Sequence, residues 1–333
     1  MVAEVTTCVT DWRPLVARYA EWSRKTLGGR LALLAAVFGA FLLPAAWFAA
    51  DPLPRSSWQE LGLVSETPAL RRVYQSDVQD LEALFGSYSY DLERLRDGAA
   101  TTVPRLSVAA LPRDLAELAD IEARKKIFLQ TLLPLVLQAN QEVRQARAKV
   151  IAALDARAAG RLGATDALWL ETVAEWYGAE VDDAADLLSR IDVVPPSLVL
   201  AQAAQESGWG TSRFAQRANA LFGQRAWGDN ARGLKPAAAN RKDFRVRAFP
   251  DLMSGVRSYL HNLNSHRAYT GLRARRAQAR ALGAPLQSLS LVEGLSAYSE
   301  EGEDYVRALS LLIESNRLQA FDRLRLRARS QES

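Results

Sequence analysis

Between Leu31 and Ala50 the chain runs LALLAAVFGAFLLPAAWFAA, twenty residues without a charge. At a helical rise of about 1.5 Å per residue this stretch covers about 30 Å, the thickness of a bilayer's hydrocarbon core. No other feature narrows the possible structures so far, because a lone segment in lipid must pair its own backbone groups and therefore be helical. Arg13, Arg18, Arg24, Lys25 and Arg30 precede the window, and Asp51 follows it. That bias predicts an N-terminus in the cytoplasm and carries everything beyond residue 51 across the membrane. A cleaved signal fits less well: the segment before the window is long, and Trp47-Phe48-Ala49-Ala50 puts bulky side chains where cleavage needs small ones. The expectation is an uncleaved anchor, kinked near its outer end by Pro44.

Composition bounds the rest. With 49% hydrophobic and 24% charged residues, the chain is neither wholly disordered nor a many-pass membrane protein. Its 42 Lys+Arg stand against 38 Asp+Glu, a balance too even to point to nucleic acid. Cys8 is the single cysteine, so no intramolecular disulfide can form and no cysteine zinc site can assemble. His261 and His266 are the two histidines. Five apart, they do not share the helix face that a metal pair needs, and no metal or cofactor is expected. Chemistry must rest on carboxylates, hydroxyls and amides.

Beyond the window, residues 51–65 mix proline, serine and polar residues and read as a linker. Leu70, Val73, Tyr74, Val78, Leu81, Leu84 and Phe85 recur at helical spacing and predict a helix over 68–90. A break falls at Asp97-Gly98 and Val103-Pro104. A long helix is expected from Ile121 to Ala159, kinked at Pro134. Its apolar block from Ile127 to Leu137 contains Gln130 and is flanked by Arg124-Lys125-Lys126, which makes it too short to span a membrane and suits a buried core helix. Short helices follow from Ala167 to Tyr177 and from Val181 to Ile191. Neither a zinc spacing, a phosphate-binding loop, a dinucleotide fingerprint nor a solenoid repeat occurs.

The segment with most chemical promise starts at Val194-Pro195-Pro196-Ser197, where proline suits a first helical turn. It continues LVLAQAAQES and stops at Gly208. Val199, Ala203 and Glu206 share one face, so Glu206 ends an apolar, small-residue stripe. Burial and a helix C-terminus both favour a protonated carboxyl, as a general acid requires. On the residues alone, a solvated terminal glutamate remains the simpler account.

The whole string over 194–223, VPPSLVLAQAAQESGWGTSRFAQRANALFG, strongly resembles the glucosaminidase domain of peptidoglycan-cleaving glycoside hydrolases, the flagellar-muramidase-like enzymes. It is most similar to a Bax-type subgroup, mannosyl-glycoprotein endo-β-N-acetylglucosaminidase-like. The likeness covers about residues 190–320 and extends more loosely to 103–115 and 126–140. It implies a mainly α, α+β lysozyme-like fold, with a helical lobe and a small β-hairpin lobe around a groove. It implies Glu206 as catalytic acid, Tyr298 as a hydroxyl in the cleft, and Tyr305 as a core residue. Gln202, Ser207, Trp209, Ser212, Asn219, Phe222 and Trp227 become expected substrate-binding positions.

One departure stands out: Arg245 occupies the place where the family carries a second carboxylate on its hairpin. Asp243 is then the first candidate for the base, and Asp229 the second. An N-acetyl group of the substrate could serve instead.

The helix resembling 254–269 would return under the groove, with His261 and His266 structural or substrate-contacting. Arg273, Arg275, Arg276 and Arg280 are expected on a solvated face, and Arg323 to Arg329 as a frayed basic end. The expected organisation is a cytoplasmic segment 1–30, an anchor 31–50, a linker 51–65, a helical region 66–189, a glucosaminidase domain 190–322 and a basic tail 323–333. The resemblance implies a bacterial inner-membrane protein facing the periplasm, with peptidoglycan or a related N-acetylglucosamine-containing glycan as partner. The alternatives are an inactive peptidoglycan-binding or morphogenetic protein and, disfavoured by the missing zinc set, an N-acetylmuramoyl amidase-type hydrolase.

Overall fold

The computed structural model describes residues 70–74, 77–227, 233–235, 244–296 and 302–328, all within one unit, Trp47–Ser333. The anchor window 31–50 and the linker 51–65 lie outside the described residues. Among those described, no helix is long and apolar enough to cross a membrane.

In chain order the elements are β1 (Arg71–Val73), α1 (Val78–Ser87), α2 (Leu92–Arg96), β2 (Thr102–Val103), β3 (Leu106–Val108), α3 (Ile121–Ala158), α4 (Ala164–Tyr177), α5 (Ala184–Arg190), α6 (Pro196–Ser207), α7 (Arg213–Ala218), β4 (Arg225–Trp227), β5 (Gly233–Leu234), β6 (Phe244–Arg247), α8 (Leu252–Ser265), α9 (Thr270–Ala281), α10 (Ser288–Val292), α11 (Glu303–Ser315) and β7 (Arg325–Leu326). The fold is mainly helical. Several helices start on an aspartate whose carboxylate accepts first-turn N–H groups: Asp77 for α1, Asp91 for α2, Asp120 for α3 and Asp251 for α8.

Helix α3 forms the spine. Its block Ile127–Asn140 is buried throughout, which bears out a core helix rather than a second span. Pro134 sits inside the helix without ending it. Buried Glu142 takes both forks of Arg257, at 2.6 and 2.8 Å, tying α3 to α8.

Three expectations need correction. Residues 71–73 are a strand, paired in parallel with β3 from Arg71 opposite Leu106 to Val73 opposite Val108, and the helix begins only at Val78. The partner lies over thirty residues away, so helical spacing of Leu70 and Val73 could not reveal it. Residues 323–328 are not a frayed end: β7 pairs with β2, and Arg105 donates through Nε to the Arg327 carbonyl at 2.8 Å. Nor is α9 a solvated arginine face.

Arg276 is fully buried and Arg273 nearly so. Arg276 donates to the carbonyls of Asp192 (2.9 Å), Val193 (3.1 Å) and Ser189 (2.7 Å). Arg273 donates to Leu263 (3.2 Å) and His266 (2.8 Å). These carbonyls sit at the ends of α5 and α8, where no intrahelical N–H reaches them. The buried guanidinium of Arg276 is pushed down to about 10, burial first, with Asp192 opposing. Arg275 and Arg280 are exposed as expected, the first paired with Glu293 and the second with buried Asp192.

This clamp fixes the start of α6. Asn140 brackets Val194, donating to its carbonyl (2.7 Å) and accepting from its N–H (3.0 Å). Asp322, in the 3-10 turn Leu318–Arg323, caps the helix by accepting from the Ser197 N–H and hydroxyl, both at 2.8 Å.

Candidate active site

Helix α6 is hemmed in by α3, α10, α11 and the 3-10 turn 318–323. Every side chain from Pro196 to Ala204 is buried, and only at Gln205 and Glu206 does burial ease. The helix ends on Gly208 in the left-handed region (φ 58°), as the sequence predicts, and Trp209 (φ 56°) and Gly210 (φ 80°) share that conformation. Gly210 could carry no side chain: a Cβ there would lie 2.6 Å from Leu111 and 3.0 Å from Phe128. The Gly-Trp-Gly string is thus a tight reversal pressed onto α3.

Half-buried Glu206 stands at the end of a directed chain of hydrogen bonds. The Tyr259 hydroxyl, from α8, donates to Gln202 Oε1. Gln202 Nε2 donates to the Tyr305 oxygen at 3.0 Å, and the Tyr305 hydroxyl donates to Glu206 Oε1 at 3.4 Å. Gln202 and both tyrosines are buried. Burial, and for Tyr305 the charge of Glu206 next, raises both phenols well above their ordinary value, so each keeps its proton and remains a donor. The other carboxylate oxygen faces Gly223 (φ 63°), where a Cβ would lie 3.8 Å from Oε2.

The β lobe is a three-stranded antiparallel sheet in the order β4-β6-β5, with Ala226 opposite Arg245 and Gly233 opposite Arg247. Its small core gathers Ala218, Ala220 and Val246. Asn219 makes the bend into it: left-handed at φ 52°, it closes α7 and donates through Nδ2 to the Phe249 carbonyl at 3.1 Å. Arg245 donates to the Gly233 carbonyl at 3.3 Å and so staples the hairpin.

Of the expected site residues, the structure brings Glu206 and Gln202 together and places Ser207, Ser212, Phe222 and Trp209 in packing or capping contacts. Gln202 is enclosed and positions Tyr305. The Ser207 hydroxyl is buried, donating to the Ala203 carbonyl (2.5 Å) and accepting from the Gly210 N–H (2.8 Å). Ser212 caps α7 by accepting from the Ala215 N–H at 3.2 Å. Phe222, 2% exposed, stacks on Tyr259 with centroids 3.8 Å apart and packs rather than forming a sugar platform. Trp209 lies edge-on to Phe128 at 5.6 Å, with Lys125 5.3 Å over its ring.

The backbone of Trp227 lies in β4, opposite Phe244. Asp229, Asp243 and Tyr298 lie outside the described residues. Tyr305 is in the core as expected, yet its hydroxyl also reaches Glu206. Gln202, one turn before Glu206, was within reach of helical spacing, whereas Tyr259 and Tyr305 are brought in only by the fold.

Both histidines are structural. Burial pushes His261 down to about 3, so it is neutral, and its ring stacks on Trp176 at 4.1 Å. His266 accepts the Ala268 N–H through Nδ1 at 3.2 Å. Among the described residues no group of acids, histidines and cysteines could hold a metal ion.

The described site thus joins a half-buried carboxyl at a helix end to two buried phenols, beside a small sheet. Residues 181–318 match the glucosaminidase family model, described as mannosyl-glycoprotein endo-beta-N-acetylglucosaminidase. It is also similar to Protein bax of Escherichia coli (strain K12), with 29% identity over 216 residues, covering 62% of this chain and 75% of the relative. Over these residues the chain is similar to Bax-type glucosaminidase-domain proteins. No solved structure matches it significantly.

Proposed function

We propose that the protein is a membrane-anchored glycoside hydrolase that cleaves a β-1,4 bond next to N-acetylglucosamine in peptidoglycan or a related glycan. Glu206 is its general acid and protonates the leaving oxygen. The observation that carries this reading is the donor chain Tyr259–Gln202–Tyr305, which ends on Glu206 Oε1. It holds the carboxyl group in one orientation through neutral groups, leaving Oε2 towards the glycine at 223. Such pre-positioning is what a proton transfer in a short-lived transition state requires.

Water or the substrate's acetamido oxygen supports the oxocarbenium-like centre, with Asp243 the first candidate for a base and Tyr298 for a hydroxyl in the cleft. Trp227 and Asn219 are further candidates for contacts with the glycan. The uncharged window 31–50, preceded by five basic residues, supports an anchor in a bacterial inner membrane with this domain in the periplasm. The test is release of new reducing ends from purified sacculi by the full chain in detergent. Loss of that release in Glu206→Gln supports the reading, and undiminished release ends it.

One observation favours a second reading, a wall-binding protein without hydrolysis. Arg245 stands where the resemblance places a second carboxylate, and it is committed to the Gly233 carbonyl. That protein would sediment with sacculi, release nothing, and bind equally after Glu206→Ala.

A further inference from the structure

A cavity of about 730 Å³ opens at the N-terminal end of α6, bordered by α2, α3, the 193–196 segment, the end of α9 and the 3-10 turn 318–323. Its walls carry four arginines, Arg96, Arg144, Arg280 and Arg323, against two carboxylates, Asp97 and Asp322. Arg96 pairs with Glu93, and Arg280 holds Asp192 at 2.9 Å. Among the described residues, the side chains of Arg144 and Arg323 form no ion pair or hydrogen bond. Partial burial first, then the positive charges of Arg325 and Arg280, lower the proton affinity of the Arg144 guanidinium, against a weaker pull from Asp192. Asp322 spends both oxygens on Ser197 and bonds neither arginine.

Cations on a convex surface are simply solvated. Here they converge on a concave space whose remaining walls include Leu95, Leu137, Val194 and Leu286. Like charges crowded into such a space raise the local potential and select an anion. The planar forks of arginine match the oxygens of phosphate and carboxylate. The volume is that of a small-molecule site, so it admits a body larger than a bare ion.

We propose that this cavity is a binding site for a ligand bearing a polyvalent oxyanion, phosphate or carboxylate, gripped by Arg144 and Arg323. The site is separate from Glu206. The twelve residues of α6 put about 18 Å of helix between its two ends.

The experiment is calorimetric titration of the full chain in detergent with pyrophosphate and, separately, citrate, at constant ionic strength set with sodium chloride. Saturable binding is expected, weakened at least about tenfold in Arg144→Ser/Arg323→Ser, which removes both charged donors. Preference for pyrophosphate assigns the site to phosphate ligands, and preference for citrate to carboxylates. Glu206→Gln should bind as the wild type does, which keeps this result independent of the glycosidase reading. Neither side chain holds an ion pair or hydrogen bond among the described residues, so the double variant should melt within a few degrees of the wild type, confirming that it folds. Absence of saturable binding to either anion, or equal affinity in the double variant, overturns the proposal.

Discussion

The two ends of helix α6 are both built around carboxylates, and they are built differently. At the start, Asp192 meets Arg280 at 2.9 Å through each oxygen, Arg276 grips the neighbouring carbonyls, and Asp322 caps the first turn. At the finish, Glu206 receives a phenol backed by an amide and a second phenol. Burial pushes the Asp192 carboxyl up, but the Arg280 hydrogen bond and the charges of Arg276 and Arg147 outweigh it and hold the acid low. Such a group stays ionised and serves as a bolt. Tyr305 and Tyr259 are neutral donors that orient a carboxyl without the full charge of a cation. The contrast is one of charge: fixed ions where the chain is held, neutral donors at the carboxyl proposed as the acid.

The largest expected effect tests the second half of that contrast. Glu206→Gln should lower glycan cleavage about 10²–10⁴-fold, the usual worth of a positioned acid, while the melting temperature stays near that of the wild type. A loss of stability matching that at the other end would make Glu206 a bolt too. The converse holds for Arg276→Met. Three carbonyls lose their buried donor, and breaking such a charged cluster costs about 3–5 kcal/mol. The melting temperature should fall on the order of 10 °C, with cleavage per folded molecule retained. A change in kcat rather than stability would show that the two ends are coupled.

Asp322 sharpens the comparison by pH, because it lies at the bolted end yet bonds only a neutral serine. Burial raises its carboxyl to about 6, against the opposing hydrogen bonds of Ser197. A folded value above the unfolded 3.8 means that the native state holds this proton more tightly. Its effect therefore favours folding below pH 3.8 and weakens as pH rises through about 6. Asp192, held low, does the opposite: its stabilisation is present above the unfolded value and is lost as pH falls through the folded one. Asp322→Asn should remove a penalty of about 2–3 kcal/mol at pH 7 and leave pH 4 nearly unchanged, read as melting temperature against pH. Equal shifts at both pH values would mean that the residue acts through packing alone.

The sequence carried α6 almost whole. Pro195-Pro196 opened it, Gly208 closed it, and the long core helix α3 was plain from its apolar run and charged flanks. These are local signals, set by proline's missing N–H, glycine's left-handed φ and side-chain periodicity. Pairings between distant segments were not legible: β1 with β3, β2 with β7, and Tyr259 and Tyr305 with Gln202. The α9 arginines misled for a related reason. A run of arginines has the composition of a solvated face, and only the ends of α5 and α8 arriving on its other side bury two of them. At the site, Glu206 was found through its resemblance and helix position, and Gln202 was named there for substrate rather than for the work it does.

The smallest effect belongs to the donor chain and tests its direction. Tyr305→Phe removes the hydroxyl given to Glu206 and leaves a buried Gln202 N–H without its acceptor, a cost of about 1–3 kcal/mol in stability. Cleavage should fall about tenfold, the worth of one oriented hydrogen bond in the transition state, and the fall should be in kcat with KM little changed. Tyr259→Phe breaks the chain two bonds further back, where the hydroxyl donates to Gln202 and not to Glu206. It should cost similar stability, since Gln202 Oε1 is then left bare, but less than half the logarithmic loss in kcat. If the two variants lose kcat equally, the chain works as one rigid unit and Gln202, not Tyr305, sets the orientation of the acid. If neither loses kcat, the phenols are packing alone, and the neutral end of α6 differs from the charged end in composition but not in purpose.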